Sequence, residues 1–144
     1  MRASLSHVGI VGKRISDLAR VFEILGLTER TPDEPDEVQR VVASFLHAAG
    51  EKGVQLELLE PIGENSPIAG FLTKGGGGLH HLCFTVDDVE EATERLVAAG
   101  FQCVADPVKC LGYDRSFHRA GCRPSRIAFF LTPARVLIEL LEEG

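Results

Sequence analysis

Apolar and polar positions alternate along this chain at two spacings, and the spacings take turns. Short runs near Leu5–Val11, Val38–His47 and Val54–Glu60 are rich in Val, Ile and Leu at period two, which predicts strands. After the first run, "ISDLARVFEIL" sets apolar residues three and four apart. That spacing predicts a helix over about Ile15–Leu25, stopped by Gly26. The later chain repeats the plan. It predicts strands near Leu79–Val86, Arg126–Leu131 and Val136–Leu141, a helix over about Val89–Ala99 stopped by Gly100, and a weaker strand near Gln102–Val108.

The likeness is an internal repeat. "SHVGIVGKRISDLARVFEILGL" and "HHLCFTVDDVEEATERLVAAGF" superpose with a shift of 74, which pairs His7 with His81, Ile15 with Val89 and Gly26 with Gly100. Glu57 pairs with Glu139 at a shift of 82, so eight extra residues fall between Phe101 and Arg135. The expected fold is α+β, with two tandem βαβββ modules, about 5–61 and 79–142, in a single domain. Their curved mixed sheets would enclose a metal-binding cleft. In the linker 62–78, Ser66-Pro67 opens a short helix and the glycines 75–78 read as a flexible hinge. No glycine-rich phosphate loop directly follows the first strand, which argues against a doubly wound parallel sheet.

Composition narrows the function. The 144 residues, 44% hydrophobic and 25% charged, suffice for one core, and the net charge of −6 argues against a nucleic-acid partner. No apolar run has the length of a membrane span, and "MRASLSHVGIVG" is too short and polar for a signal peptide. Cys83, Cys103, Cys110 and Cys122 lack CxxC spacing, so reduced thiols in a cytoplasmic protein are expected.

The chemistry is carried by Glu57 in "VQLELLEP" and Glu139 in "RVLIELLEE". In each strand the glutamate faces away from its leucine and isoleucine neighbours, where a lone buried carboxylate is costly. His7 and His81 leave the apolar face of their own strands in the same way. Four such side chains, two from each module, can converge on a divalent metal that neutralises both carboxylates. His80, which maps to Ser6, is expected on the helix side with a local hydrogen bond and no ligand role.

Paired modules with a His/Glu/His/Glu centre resemble the vicinal oxygen chelate, or glyoxalase-like, superfamily. Within it, "LELLEPIGENSPIAGFL", "GGGGLHHLCFTVDDVEEA" and "VLIEL" resemble the methylmalonyl-CoA epimerase family. The resemblance implies His7, Glu57, His81 and Glu139 as metal ligands and Glu139 as a catalytic base. The metal it implies is cobalt, with nickel, manganese, zinc or iron as alternatives. It also implies an acyl thioester substrate, linked to CoA or to a carrier protein, and a homodimer. The reaction would be epimerisation by removal of an α-proton, with a second acid–base group on the opposite face.

Two features depart from that family. The stretch "DEVQRVVASFL" is apolar where the second acid–base group belongs, and Glu37 stands at the edge of the strand. The other is the eight-residue excess, and between Lys109 and Arg126 the chain has Lys109, Arg115, Arg119, Arg123 and Arg126 against Asp114 alone. This basic loop suggests Arg115 and Arg119 as substrate-binding residues for an anionic group, with a solvated loop or a carrier-protein dock as the other readings. Other superfamily chemistry, such as a lactoylglutathione lyase-like reaction, and a metal-free binding protein of the same fold remain as alternatives.

Overall fold

The computed structural model describes residues 1–50, 53–119 and 123–144. Its strands are β1 (Ala3–Val11), β2 (Glu29–Arg30), β3 (Glu34–Asp36), β4 (Val41–His47), β5 (Gln55–Pro61), β6 (Gly78–Val86), β7 (Gln102–Lys109), β8 (Arg126–Leu131) and β9 (Leu137–Glu142). The helices are α1 (Ile15–Ile24), α2 (Ala69–Gly75), α3 (Val89–Ala98) and α4 (Leu111–Ser116). The strands join in one open sheet of order β2-β4-β5-β1-β6-β9-β8-β7, with β3 paired to β4.

That order is the same read from either end. β1 and β5 run parallel, as do β6 and β9, and the halves meet where β1 pairs antiparallel with β6. The alternation in the sequence explains the layers. Ile10, Leu56 and Leu58 turn to one face and pack against Ile15 and Ala19 of α1, while Phe84, Val86 and Leu140 pack against Val89 and Ala92 of α3. Ile15, Leu46 and Leu58 are fully buried, each contributing about 1.5–3 kcal/mol of burial.

Both long helices stop as their glycines predict. Gly26 and Gly100 adopt φ of 93° and 89°. The next residues, Leu27 and Phe101, donate N–H groups back to Phe22 O and Leu96 O, which closes the last turn. Residues 75–78, expected as a hinge, instead end α2 and begin β6. Residues 38–40, expected as strand, belong instead to the turn 37–40 between β3 and β4, in which Arg40 takes φ of 55°. The long connection after β7 folds into α4, which packs against β3 and β4 of the other half.

The seam contains two irregularities in pairing. One extra residue, Ser6, bulges from β1 between the Leu5–Phe84 and His7–Cys83 pairs. Another, His80, bulges from β6 between the Gly9–His81 and Ile10–Leu79 pairs. The two bulged residues are 74 apart, so the repeat extends to its defects.

Candidate active site

Opposite the helices lies a cavity of about 350 Å³ lined from both halves, by Asp36, Phe45, Glu57, His81, Phe129 and Glu139 among others. The bulges turn the backbone so that His7 and His81 approach each other across the seam, 3.4 Å apart at their Nε2 atoms. Gly9, opposite His81, has no side chain for a reason of space: a Cβ there would overlap the His81 ring. Phe45 closes the other side, its ring edge-on to His7 with centroids 5.2 Å apart.

The four expected ligands come together. His7 Nε2 lies 3.6 Å from Glu57 Oε1 and 3.7 Å from Glu139 Oε1. His81 Nε2 lies 3.2 Å from Glu57 Oε1 and 3.5 Å from Glu139 Oε2. Most of these gaps exceed good hydrogen bonds. They match the spacing of roughly 3.0–3.5 Å that donor atoms keep around a first-row divalent ion bound at its usual distances. His7, His81 and Glu139 are buried and Glu57 is nearly so. Two imidazoles and two carboxylates gathered around the β1–β6 seam fit such a cation in charge, donor type and number.

The electrostatics express the same crowding. Burial raises the Glu139 pKa, and repulsion from Glu57 adds to that rise although His81 and His7 oppose it. Burial acts on Glu57 too, but His7 and His81 outweigh it and hold its carboxyl below the ordinary value. For His81 burial favours the neutral ring, yet Glu139 and Glu57 prevail and raise its pKa. Cys83 lies within the cluster of His7 and Glu139. Burial and the charges of Glu139 and Glu57 push its thiol well above its usual range, so it stays a neutral group beside them.

His80 corrects the expectation that placed it on the helix side. As the bulged residue it escapes the strand alternation and lines the cavity, its ring edge-on to Phe71 of α2. Its hydrogen bond is local, as expected: Nδ1 sits 2.9 Å from His81 Nδ1. Burial and the neighbouring His81 lower its pKa to about 4, so the ring is neutral near pH 7.

Asp36 is a site residue the sequence reading missed. Its carboxylate lines the cavity and is 5% exposed, while Glu37 turns away to an outer groove with Arg115. Asp36 accepts hydrogen bonds from Gln39 N at 2.9 Å and Gly112 N at 3.3 Å. The aspartate three residues before Gln39 is an Asx-turn signature that could have singled it out.

Arg115 and Arg119 do not line the cavity. Arg115 Nε bonds Glu34 at 2.5 Å, and its guanidinium also reaches Pro35 O. Arg119 lies 3.7 Å from Asp114 and 3.9 Å from Glu143, and donates to Gly144 O. Arg123 pairs with Glu142 and Arg126 with Glu90. The basic loop is therefore largely neutralised by carboxylates distant in sequence. Cys83, Cys103 and Cys110 are free thiols, and Cys122 lies outside the described residues. No described helix is long and apolar enough to cross a membrane.

The chain is similar to known proteins in sequence and fold. The sequence pattern of the glyoxalase/bleomycin resistance protein/dioxygenase superfamily matches residues 6–118. The ethylmalonyl-CoA/methylmalonyl-CoA epimerase of Cereibacter sphaeroides is 40% identical over 103 residues, which span 69% of this chain and 73% of that protein. The crystal structure of methylmalonyl-CoA epimerase from Mycobacterium tuberculosis superposes with a TM-score of 0.78 at 29% identity, covering 98% of this chain and 88% of that one. A variant of the Streptomyces coelicolor methylmalonyl-CoA epimerase in complex with 2-nitronate-propionyl-CoA superposes with a TM-score of 0.77 at 26% identity, covering 98% and 97%. The family pattern spans more than half of the chain, and the chain belongs to the glyoxalase/bleomycin resistance protein/dioxygenase superfamily.

Proposed function

We propose that this protein is an epimerase that inverts the carbon beside an acyl-CoA thioester, with methylmalonyl-CoA as its substrate. The observation that carries the reading is the pair of carboxylates, Asp36 and Glu139, set in one cavity by opposite halves of the sheet. Inversion requires a proton to leave one face and another to arrive at the opposite face, so one acid–base group is needed on each side. The similarity to the Cereibacter sphaeroides enzyme supports the substrate class.

His7, Glu57, His81 and Glu139 would hold a divalent cation, with cobalt as the first candidate. When bound, such an ion supplies Lewis-acid stabilisation of the negative charge that develops as the α-proton leaves. The chain's own residues do the rest. Glu139 would both hold the ion and act as the acid–base group on its side of the cavity. Asp36, held by two backbone N–H groups, keeps a fixed position from which to return or remove the proton. Phe45 and Phe129 give the cavity an apolar wall.

The test is metal analysis of the purified protein, followed by α-proton exchange of each methylmalonyl-CoA stereoisomer in deuterated water. Wild-type protein should carry a divalent metal and label both stereoisomers. Asp36→Asn should still exchange the proton of one stereoisomer while losing inversion. Glu139→Gln should lose exchange by on the order of a hundredfold or more. Full inversion by Asp36→Asn removes the two-base reading, and inactive wild-type protein removes the substrate.

A further inference from the structure

The two bulged residues make equivalent contacts. Ser6 Oγ lies 3.1 Å from His7 Nδ1, and His80 Nδ1 lies 2.9 Å from His81 Nδ1. In each half the extra residue precedes the histidine and offers a polar atom to the ring nitrogen that faces away from the four-residue centre. We propose that His80 is a positioning residue whose Nδ1 accepts a hydrogen bond from His81 Nδ1–H, fixing the tautomer and ring plane that present His81 Nε2 to the metal. The proposal rests on the metal reading above.

The direction of the hydrogen bond follows from counting protons. A neutral imidazole that gives its Nε2 lone pair to a cation carries its proton on Nδ1. Two Nδ1 atoms 2.9 Å apart hold one proton between them, so His80 Nδ1 is the acceptor and its own proton resides on Nε2. Phe71 stands edge-on to the His80 ring at 5.1 Å between centroids and limits its rotation. Ser6 performs the same task for His7 with a hydroxyl. Partners of this kind raise the basicity of the ligating nitrogen, and their loss typically weakens metal binding by about 10–100-fold.

The role is read from metal affinity and proton position. Zinc affinity, measured by chelator competition on the whole protein, should fall about 10–100-fold in His80→Ala. It should stay within about threefold of wild type in His80→Asn, whose side-chain oxygen can occupy the place of Nδ1. Nitrogen-15 spectra of zinc-loaded wild type should place the proton on His81 Nδ1 and leave His80 Nδ1 unprotonated. Unchanged affinity in His80→Ala, equal loss in the Asn variant, or a proton on His80 Nδ1 overturns the proposal. Wild-type protein that binds no zinc, cobalt, nickel or manganese overturns the metal reading and this proposal with it. Wild type that binds metal beside an unaffected His80→Ala overturns the positioning role alone.

Discussion

Glu60 and Glu142, 82 residues apart, accept equivalent hydrogen bonds: Glu60 Oε2 from Ile15 N at 2.7 Å and Glu142 Oε2 from Val89 N at 2.8 Å. Each stands near the end of its strand, three residues after a site glutamate, and so faces the opposite side of the sheet, where α1 or α3 begins. Helix N-termini present unpaired N–H groups and partial positive charge, both satisfied by a carboxylate. In "LELLEP" and "IELLEE" the first glutamate serves the cavity and the second anchors a helix.

The anchor can be measured. Arg14, which precedes α1, makes no side-chain cap, so Glu60 is the cap of that helix. Glu60→Ala should destabilise the protein by about 1–2 kcal/mol in urea denaturation without lowering metal content. A change under a few tenths of a kcal/mol would show that the contact contributes little.

Gly9 makes a sharper prediction. Gly9→Ala should displace the His81 ring and weaken metal binding by on the order of tenfold or more. Gly70→Ala, in α2 where the added methyl meets open space, serves as the control and should bind metal normally. Equal affinity in the two variants would mean that His81 has room which this packing denies it.

The pH dependence should reverse between metal-free and metal-loaded protein. The folded pKa of His81 is raised above its unfolded value near 6.5. Its charged form therefore adds stability that is complete below pH 6.5 and is lost as pH rises through the folded pKa. Metal binding instead displaces that proton, so apparent affinity should climb through the same window, by about tenfold per pH unit per proton released. Urea midpoints followed with and without chelator from pH 6 upward should show opposite slopes. Parallel slopes count against His81 as a ligand.

The arginines supply a fourth test. With Arg115 and Arg119 already facing Glu34, Asp114 and Glu143, Arg115→Gln and Arg119→Gln should change the Michaelis constant by less than about threefold. Stability should change by about 1 kcal/mol or less in Arg115→Gln, whose pair with Glu34 is partly exposed. A tenfold, salt-sensitive rise in the Michaelis constant would restore them as substrate contacts.

The parts of the fold visible beforehand are those governed by local periodicity. The alternation around Leu56-Glu57-Leu58 and Ile138-Glu139-Leu140 assigned each side chain to its face, and the repeat brought His7 and His81 into the same set. The His80 position escaped because a bulge is a property of two strands in register, visible only when β6 is laid against β1. Asp36 was hidden by its place in a three-residue strand beside a turn, where apolar alternation carries no signal. Arg115 meets Glu34 across 81 positions, so the loop's charge was legible but its partners were not.

The sheet's division into like halves has a consequence for how the molecule could be taken apart. Each half owns one histidine and one glutamate of the centre, and all four donors come together only where the halves meet at the β1–β6 seam. A cut in the connection between Ile62 and Ser66 would leave two fragments, each with a bidentate half-site too weak to retain an ion. Reassociation would restore four donors at once, with the cation serving as a clasp between separate chains. On the metal reading, such a split protein would reassemble more tightly in the presence of a divalent cation.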